Sequence, residues 1–464
     1  MAEADRLQGV VYGDRVVKVE PFGVEPIPEQ ERHGSASGVL AMWLGANMSM
    51  STWLVGVVST ALFGLPLWLA FPAVLLGAAL GGAVVGLHSL FGPKLGVPQM
   101  VQSRAPFGVL GNTGPAVMSA VLIVGFYAVN SVLGAFALDS ITHIGYVPAL
   151  VALVVAQTAL AVYGHNMVHR FEQIMAVVLG LVFLGVGFYA ASQTDLTSAG
   201  NLQAPLAGAG LFASFMGALG VALSFTISYS VLASDYTRYL PSKTGSGSLW
   251  RSIFGGQFIG CGVLYLIGAA VGSLALNVAP DAPPTDMIIA IVPSFFAVPA
   301  MAAVVLGAMT QNVLAAYSAG LAGLAARLPS RRWTAALAAG VIGFFLAVLG
   351  EGSFAAKYEL FLQVILFWSL PWMGVVLADF FVVNRKGYSI KALYDERRRW
   401  GRGLFPWIAG MAASIPFVEQ QLYTGPLAEA FPQIGDISYY VGIVVAFVLY
   451  LAMGRPIPAS GSGE

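Results

Sequence analysis

After a polar opening of 37 residues, apolar runs long enough to cross a bilayer recur twelve times along the chain. They fall at approximately 38–62, 66–91, 112–138, 147–163, 171–192, 208–234, 252–277, 288–326, 334–350, 354–383, 404–420 and 438–454. The eighth is over-long and is expected to open with a loop around Pro293; the fourth, ninth and eleventh are short. Two runs interrupt their own apolar pattern halfway. Span one contains LGANMSMST, with Gly45, Asn47, Ser49 and Ser51. Span six contains LSFTISYSVLASDYTRYLP, with Ser224, Thr226, Ser228, Tyr229 and Ser230. Hydrocarbon offers hydroxyls no partner, so such residues line a cavity or another helix. Each stretch reads as a discontinuous helix whose unwound turn would free carbonyls for a cation and amides for a substrate. Small polar residues also let helices pack closely. The matched interruption of spans one and six, equivalent if spans 1–5 and 6–10 are repeats, favours a site.

Loop charge tests the count, because Lys and Arg gather on the cytoplasmic side. With the N-terminus inside, the tail holds Arg6, Arg15, Lys18 and Arg32, the 2–3 loop Lys94 and Arg104, and the 4–5 loop Arg170. The 6–7 loop holds Arg238, Lys243 and Arg251, and the 8–9 loop Arg327, Arg331 and Arg332. The 10–11 loop carries Arg385, Lys386, Lys391, Arg397, Arg398, Arg399 and Arg402, and the C-terminal tail Arg455. Every basic residue but Lys357 is then inside, while Asp139, Asp195, Asp281, Asp286, Glu351, Glu419, Glu429 and Asp436 lie outside. A miscounted span would invert the pattern beyond it. Twelve spans with both termini cytoplasmic, in a cell (plasma) membrane, is therefore the expected topology.

Composition agrees with this. Charged residues make up 9% of 464 and apolar residues 58%, with 55 glycines; soluble domains carry about 25% charged residues. The formal net charge of zero leaves no basic field for nucleic acid. One cysteine, Cys261, excludes an intramolecular disulfide. No cleavable signal peptide is expected, and the Pro- and Glu-rich segment 1–37 reads as a cytoplasmic tail.

Further polar residues sit inside apolar runs. In span three, Phe126 and Asn130 of GFYAVNS are four apart and share a helical face. A flat ring with an amide one turn on suits a planar heterocycle, stacked and read at its edge, although a membrane aromatic by itself is commonly packing. Span eight places Thr310, Gln311 and Asn312 in sequence, and three consecutive polar residues cannot all face one neighbouring helix. Asp235 and Arg238, three apart at the end of span six, would pair as a helix-terminus ion pair or as a cytoplasmic gate. Asp379 ends span ten, Glu172 starts span five, and His88, His143, His165 and His169 lie near span ends. Those positions read as capping or interface residues rather than a proton relay. No metal-ligand spacing, nucleophile constellation or Gly-x-x-x-x-Gly-Lys-Ser/Thr sequence occurs, which argues against an enzyme and against an ATP-driven pump.

Several stretches together resemble the purine–cytosine permease branch of the nucleobase:cation symporter-1 family. They are VEPFGVEPIPEQERHG, WLGANMSMST, GPKLGVPQMVQSRAPFGVLGN, SDYTRYLP, NVLAAYSAGL and PWMGVVLADFF, and SDYTRYLP and GPKLGVPQMVQSRAPFG are the specific ones. The resemblance implies an all-α polytopic membrane protein with a leucine-transporter-like core of two inverted five-helix repeats. Residues 38–192 would form the first repeat and 208–383 the second, with spans 11–12 at 404–454 and a cytoplasmic tail at 455–464. It also implies nucleobase uptake driven by a proton or sodium gradient. By position, Phe126 is similar to the family's stacking aromatic, usually Trp, and Asn130 to the polar residue one turn on. Phe225, Thr226, Ser228 and Tyr229 would form the opposing wall, and Asn47 and Asn312 would reach the base. The family often has an aromatic nine residues before the Asp of SDY; here Thr226 stands there, with Phe225 beside it. Sodium-coupled members resemble one another in offering span-one carbonyls and two adjacent span-eight hydroxyls. Here Gly45 and Met48 would give carbonyls, but the hydroxyl pair is Thr310 and Gln311. Gly45, Met48 and Thr310 are thus candidate sodium ligands with Gln311 beside them, and a proton serves at least as well as sodium.

The reading that follows is a secondary active transporter for cytosine or purines such as adenine and hypoxanthine. Its partners would be the lipid bilayer and a planar nucleobase, its coupling ion H+ or Na+, and it would need no other cofactor. Alternatives are a same-fold symporter for a vitamin (pyridoxine, thiamine) or a ureide (allantoin), and, outside that class, a passive channel.

Overall fold

The computed structural model describes residues 12–454 apart from 198, 199, 202, 205, 275–282, 329, 330, 351–353, 386, 388 and 421. Arg6, Asp281, Glu351, Lys386, Arg455 and the tail expected at 455–464 lie outside the described residues. Among those described, nine helices are long and apolar enough to cross a membrane. The shorter apolar helices Met50–Leu62, Leu404–Phe417 and Ser438–Met453 complete the twelve crossings.

Span one is Ala36–Asn47 followed by Met50–Leu62, and span two runs Leu67–Leu95. Spans three, four and five are Thr113–Thr142, Tyr146–Tyr163 and His165–Gln193. Span six is Leu211–Val231 and span seven Ser246–Gly272. Span eight is Ser294–Ala325, preceded across Pro293 by the short helix Thr285–Ile291, as its length predicts. Arg332–Gly350 is span nine and Lys357–Val383 lies in span ten; Leu404–Phe417 and Ser438–Met453 are eleven and twelve. Span five starts six residues before its apolar run, which brings His165, His169 and Glu172 into the helix.

Span three packs along span eight, and span two against six and seven. Span one lies between seven and five. Small residues set these approaches, as expected where lipid supplies no hydrophobic drive. A Cβ on Gly56 would overlap the Tyr265 carbonyl, and one on Gly268 the Trp53 carbonyl, so spans one and seven touch backbone to backbone. Spans four, five and nine bury the least of their surface and turn residues such as Val177, Leu181 and Phe188 outward.

Both expected interruptions are present. In span one, Met48 (φ −79°, ψ 69°) and Ser49 (φ −138°, ψ 160°) leave the helix, and Ser49 caps the second half by accepting the Thr52 N–H at 3.3 Å. Ser at the cap position is the local reason the helix restarts there. In span six, the α-helix gives way to a 3₁₀ turn over Tyr229–Val231 and breaks at Leu232 (φ −134°, ψ 5°) before Ala233–Thr237 resumes.

The segment 12–35 is not a loose solvated tail. It folds back across one face of the bundle and buries Tyr12, Phe22 and Ile27 against Tyr239.

Candidate substrate and coupling site

The span-one break faces span eight. Gly307 makes this approach feasible: a Cβ there would sit 2.5 Å from the Met48 carbonyl oxygen and 3.2 Å from Ser49 Cα. One turn on, the Gln311 amide enters the break. Its Nε2 has two hydrogens and donates to the Ala46 carbonyl and to Tyr229 OH at 2.6 Å, with Ser49 Oγ 3.3 Å away. A backbone carbonyl only accepts, so the atom facing Ala46 is the amide nitrogen. One side chain thereby ties spans one, six and eight at the level of both breaks. The other candidate cation ligands are engaged locally. Thr310 Oγ1 donates to the Gly307 carbonyl at 2.8 Å, and the Gly45 carbonyl accepts the Met48 N–H at 3.0 Å.

Beside this knot lies an aromatic cluster. Phe126 meets Phe225 edge to face at 5.6 Å between centroids and Phe361 of span ten at 5.0 Å; Phe225 also meets Tyr229 at 5.9 Å. On the side facing the folded-back tail, Phe126, Ser228, Tyr229 and Gln311 line a small cavity with Leu122, Ile123, Leu232, Leu314 and Ala315. It leaves about 20 Å³ for water centres, enough for about one water and too little for a heterocycle, so a base must part these rings to bind. On the far side, a cavity of about 190 Å³ is lined by Ser224, Glu359, Gln363, Glu419, Asp436 and Tyr439, among others. The aromatic cluster separates the two.

The remaining candidates spread around this centre. Asn130 accepts from Ser51 Oγ at 2.6 Å and donates to the Phe126 carbonyl at 2.8 Å, joining span three to the second half of span one. Tyr358 OH of span ten donates to the Ser51 carbonyl at 2.9 Å. Asn47 turns toward span seven, donating to Gln257 Oε1 at 3.0 Å and to the Trp43 carbonyl at 2.8 Å, with Cys261 Sγ 3.1 Å from its oxygen. Asn312 turns toward the opposite face of span three, donating to the Tyr127 carbonyl at 3.0 Å and Ser131 Oγ at 2.9 Å. Thr226 bonds the Ala222 carbonyl and Tyr265 OH, while Ser228 donates to the Phe225 carbonyl at 2.6 Å. The cavity thus brings together Phe126, Ser228, Tyr229 and Gln311, with Phe225 and Asn130 adjacent; it does not collect Asn47, Thr226, Thr310 or Asn312. Phe361, Gln257 and Tyr358 were missed, each an unexceptional residue in an apolar run.

Asp235 and Arg238 do not pair with each other. The Asp235 carboxylate accepts the Gln99 N–H at 2.9 Å. Arg238, fully buried, instead reaches Glu20 of the folded-back segment at 2.7 Å and the Gly23 carbonyl at 2.6 Å. Glu20 also accepts from Tyr239 OH at 2.6 Å, Tyr317 OH at 3.2 Å and the His165 N–H at 3.0 Å, with Arg332 Nε 3.8 Å away. Its signal in the sequence was the motif VEPFGVEPIPEQERHG, which gave no partner.

Two mid-membrane helix breaks, opposed across a closed cavity beneath an aromatic cluster, define a membrane transporter rather than an enzyme. The chain belongs to the family of permeases for cytosine/purines, uracil, thiamine and allantoin, whose model matches residues 26–442. It is 29% identical over 460 residues to a Bacillus subtilis protein described as a purine-cytosine permease, YxlA, covering 95% of this chain and 97% of that one. It is 27% identical over 484 residues to the purine-cytosine permease fcyB of Emericella nidulans, covering 95% and 89%. Among solved structures, the fold is similar to Mhp1, a nucleobase-cation-symport-1 family transporter, in a closed conformation with bromovinylhydantoin bound. There the TM-score is 0.76 at 18% identity, over 94% of this chain and 97% of that one. A Na+-coupled sialic acid symporter gives a TM-score of 0.64 at 13% identity, over 98% and 96%.

Proposed function

We propose that this permease imports cytosine or a purine such as adenine or hypoxanthine by cation symport with alternating access. The observation that carries the reading is the meeting of both interrupted helices with spans three and eight at the Phe126–Tyr229–Gln311 cavity; relatives described as purine-cytosine permeases support the substrate class. Residues 38–192 and 208–383 would be the two inverted repeats, with both termini cytoplasmic in the plasma membrane. A planar base would enter from the cavity lined by Glu359 and Asp436, part Phe126 from Phe225, and be read at its edge by Asn130. The Ser51 hydroxyl now bound to Asn130 would be exchanged for the base. Asn47 and Asn312 would hold helices one and eight in register around it. The buried Glu20–Arg238–Arg332 cluster, rather than an Asp235–Arg238 pair, would close the cytoplasmic side.

Uptake of labelled cytosine in a strain lacking its own permeases tests the substrate. Unlabelled adenine, hypoxanthine, uracil, thiamine, pyridoxine and allantoin serve as competitors. Competition by thiamine, pyridoxine or allantoin alone would move the assignment to a vitamin or ureide; uptake indifferent to any cation gradient would indicate a passive channel. Phe126→Ala is expected to raise KM for the base by about ten-fold or more, since stacking on an aromatic contributes about 1–3 kcal/mol. Phe126→Trp should retain near-native KM, and an unaltered KM in the alanine variant would remove the stacking role.

A further inference from the structure

Span five contributes a side chain that neither the substrate cavity nor the cytoplasmic cluster uses. Glu172 is completely buried, and neither of its carboxylate oxygens has a hydrogen-bond partner among the described residues. It is not the span-end interface residue its sequence position indicates. It lies directly behind the span-one break: a Cβ on Gly45 would overlap the Glu172 carbonyl and stand 3.0 Å from its Oε2. The Gln311 amide approaches the same turn from the other side, at the Ala46 carbonyl. The titratable groups facing Glu172 from span six are the Tyr229 and Tyr236 hydroxyls, both close enough to feel its charge. Gly45 faces it from span one. Among the described residues no cation pairs with it.

An ionised carboxylate without a partner at such a site carries a desolvation cost of several kcal/mol, so this closed packing accommodates the neutral acid. A line of imidazoles leads away along the same helix face. His169 and His165 lie three and seven residues before Glu172, on successive turns of one stripe. His165 and His169 are 4.3 Å apart between ring centroids, and His165 stacks on Tyr239 at 4.2 Å. Both histidines, with His33, Gln173 and Tyr236, line a cavity of about 180 Å³ for water centres under the folded-back segment. Glu172 therefore has the substrate knot on one side and, one and two turns back along its own helix, imidazoles that line a cavity on the other.

We propose that Glu172 is the proton-binding residue of the symport cycle, releasing its proton toward the cytoplasm past His169 and His165 when the tail-side cavity opens. The inference rests on the symport reading above and deepens it. The proton moves from the Glu172 carboxyl to an imidazole or water in the cavity and is replaced from outside in the outward-open state.

The test uses the full-length protein in proteoliposomes. Cytosine counterflow by the native protein checks the symport reading on its own; without it that reading falls. Given counterflow, an acid-outside pH gradient is expected to drive cytosine accumulation without sodium. Glu172→Gln should keep counterflow within about three-fold but lose gradient-driven accumulation by ten-fold or more. If that variant loses counterflow too, Glu172→Asp decides: coupling with a displaced pH midpoint supports the proposal, and an unmoved midpoint overturns it. Undiminished pH-driven accumulation by Glu172→Gln, or accumulation by the native protein driven by sodium alone, also overturns it.

Discussion

Glu20→Gln is expected to cut net cytosine accumulation at least ten-fold and to loosen the segment 12–35, read as faster amide hydrogen exchange there. Glu20 and Arg238 are both fully buried, and the pair gathers Tyr239, Tyr317 and the His165 N–H around one carboxylate. Removing one charge from such a pair costs about 3–5 kcal/mol, because the other is left buried and uncompensated. Glutamine retains an oxygen for Tyr239, which places the effect near the lower end. Even about 3 kcal/mol shifts a two-state closure by more than 100-fold. The folded-back segment would detach, the tail side of the bundle would open, and accumulated base would leak back. Arg238→Gln should produce a similar defect, and the double variant should add little to either, since both remove one interaction. Native-like exchange over 12–35 with full accumulation in Glu20→Gln would dismiss the tail as part of the closure.

That cluster also marks where sequence reasoning stops. Twelve crossings were legible because bilayer thickness fixes the length of an apolar run and loop charge checks the count. The span-one break was legible because Gly45, Asn47, Ser49 and Ser51 interrupt an apolar run halfway; that Ser49 caps the second half is what the structure adds. The hydroxyls of span six marked a real interruption, and they stand where a cavity or another helix meets it: Ser224 and Ser228 line cavities, Ser224 also bonds the Leu362 carbonyl of span ten, and Thr226 meets Tyr265 OH of span seven. Which way an asparagine faces was not legible. Asn47 and Asn312 sit at mid-depth as their positions indicate, but helix rotation turns the first onto Gln257 and the second onto Tyr127. The partnership of Glu20 with Arg238 spans 218 residues of chain and depends on how the tail folds back, which no local pattern records. Glu172 was misplaced for a simpler reason: the helix begins at His165, so a residue counted as an end lies two turns inside.

Gln311 carries the second large expectation. Gln311→Leu should lower cytosine uptake by about ten-fold to more than 100-fold. It removes the donor that serves the Ala46 carbonyl and Tyr229 OH, and each buried polar group left unsatisfied costs about 1–3 kcal/mol. Leucine has similar bulk, so the loss is one of hydrogen bonding rather than of packing. Gln311→Ser separates the amide's tie from its position. With serine, the amide nitrogen that occupies the Ala46 carbonyl is gone, and a hydroxyl next in sequence to Thr310 takes its place, one turn on from Gly307, against which the Met48 carbonyl lies. Hydroxyls and freed carbonyls are hard oxygen donors suited to an alkali cation, as at unwound transporter helices. Uptake by Gln311→Ser is therefore expected to fall in sodium-free medium and recover with sodium, whereas uptake by the native protein is expected to be indifferent to it. The physical content is a competition for the same carbonyl: an amide N–H held by the chain, or a cation drawn from solution. Recovery by potassium and sodium alike would show a non-specific salt effect, and sodium-free uptake equal to native would show that the Gln311 amide does not hold the break.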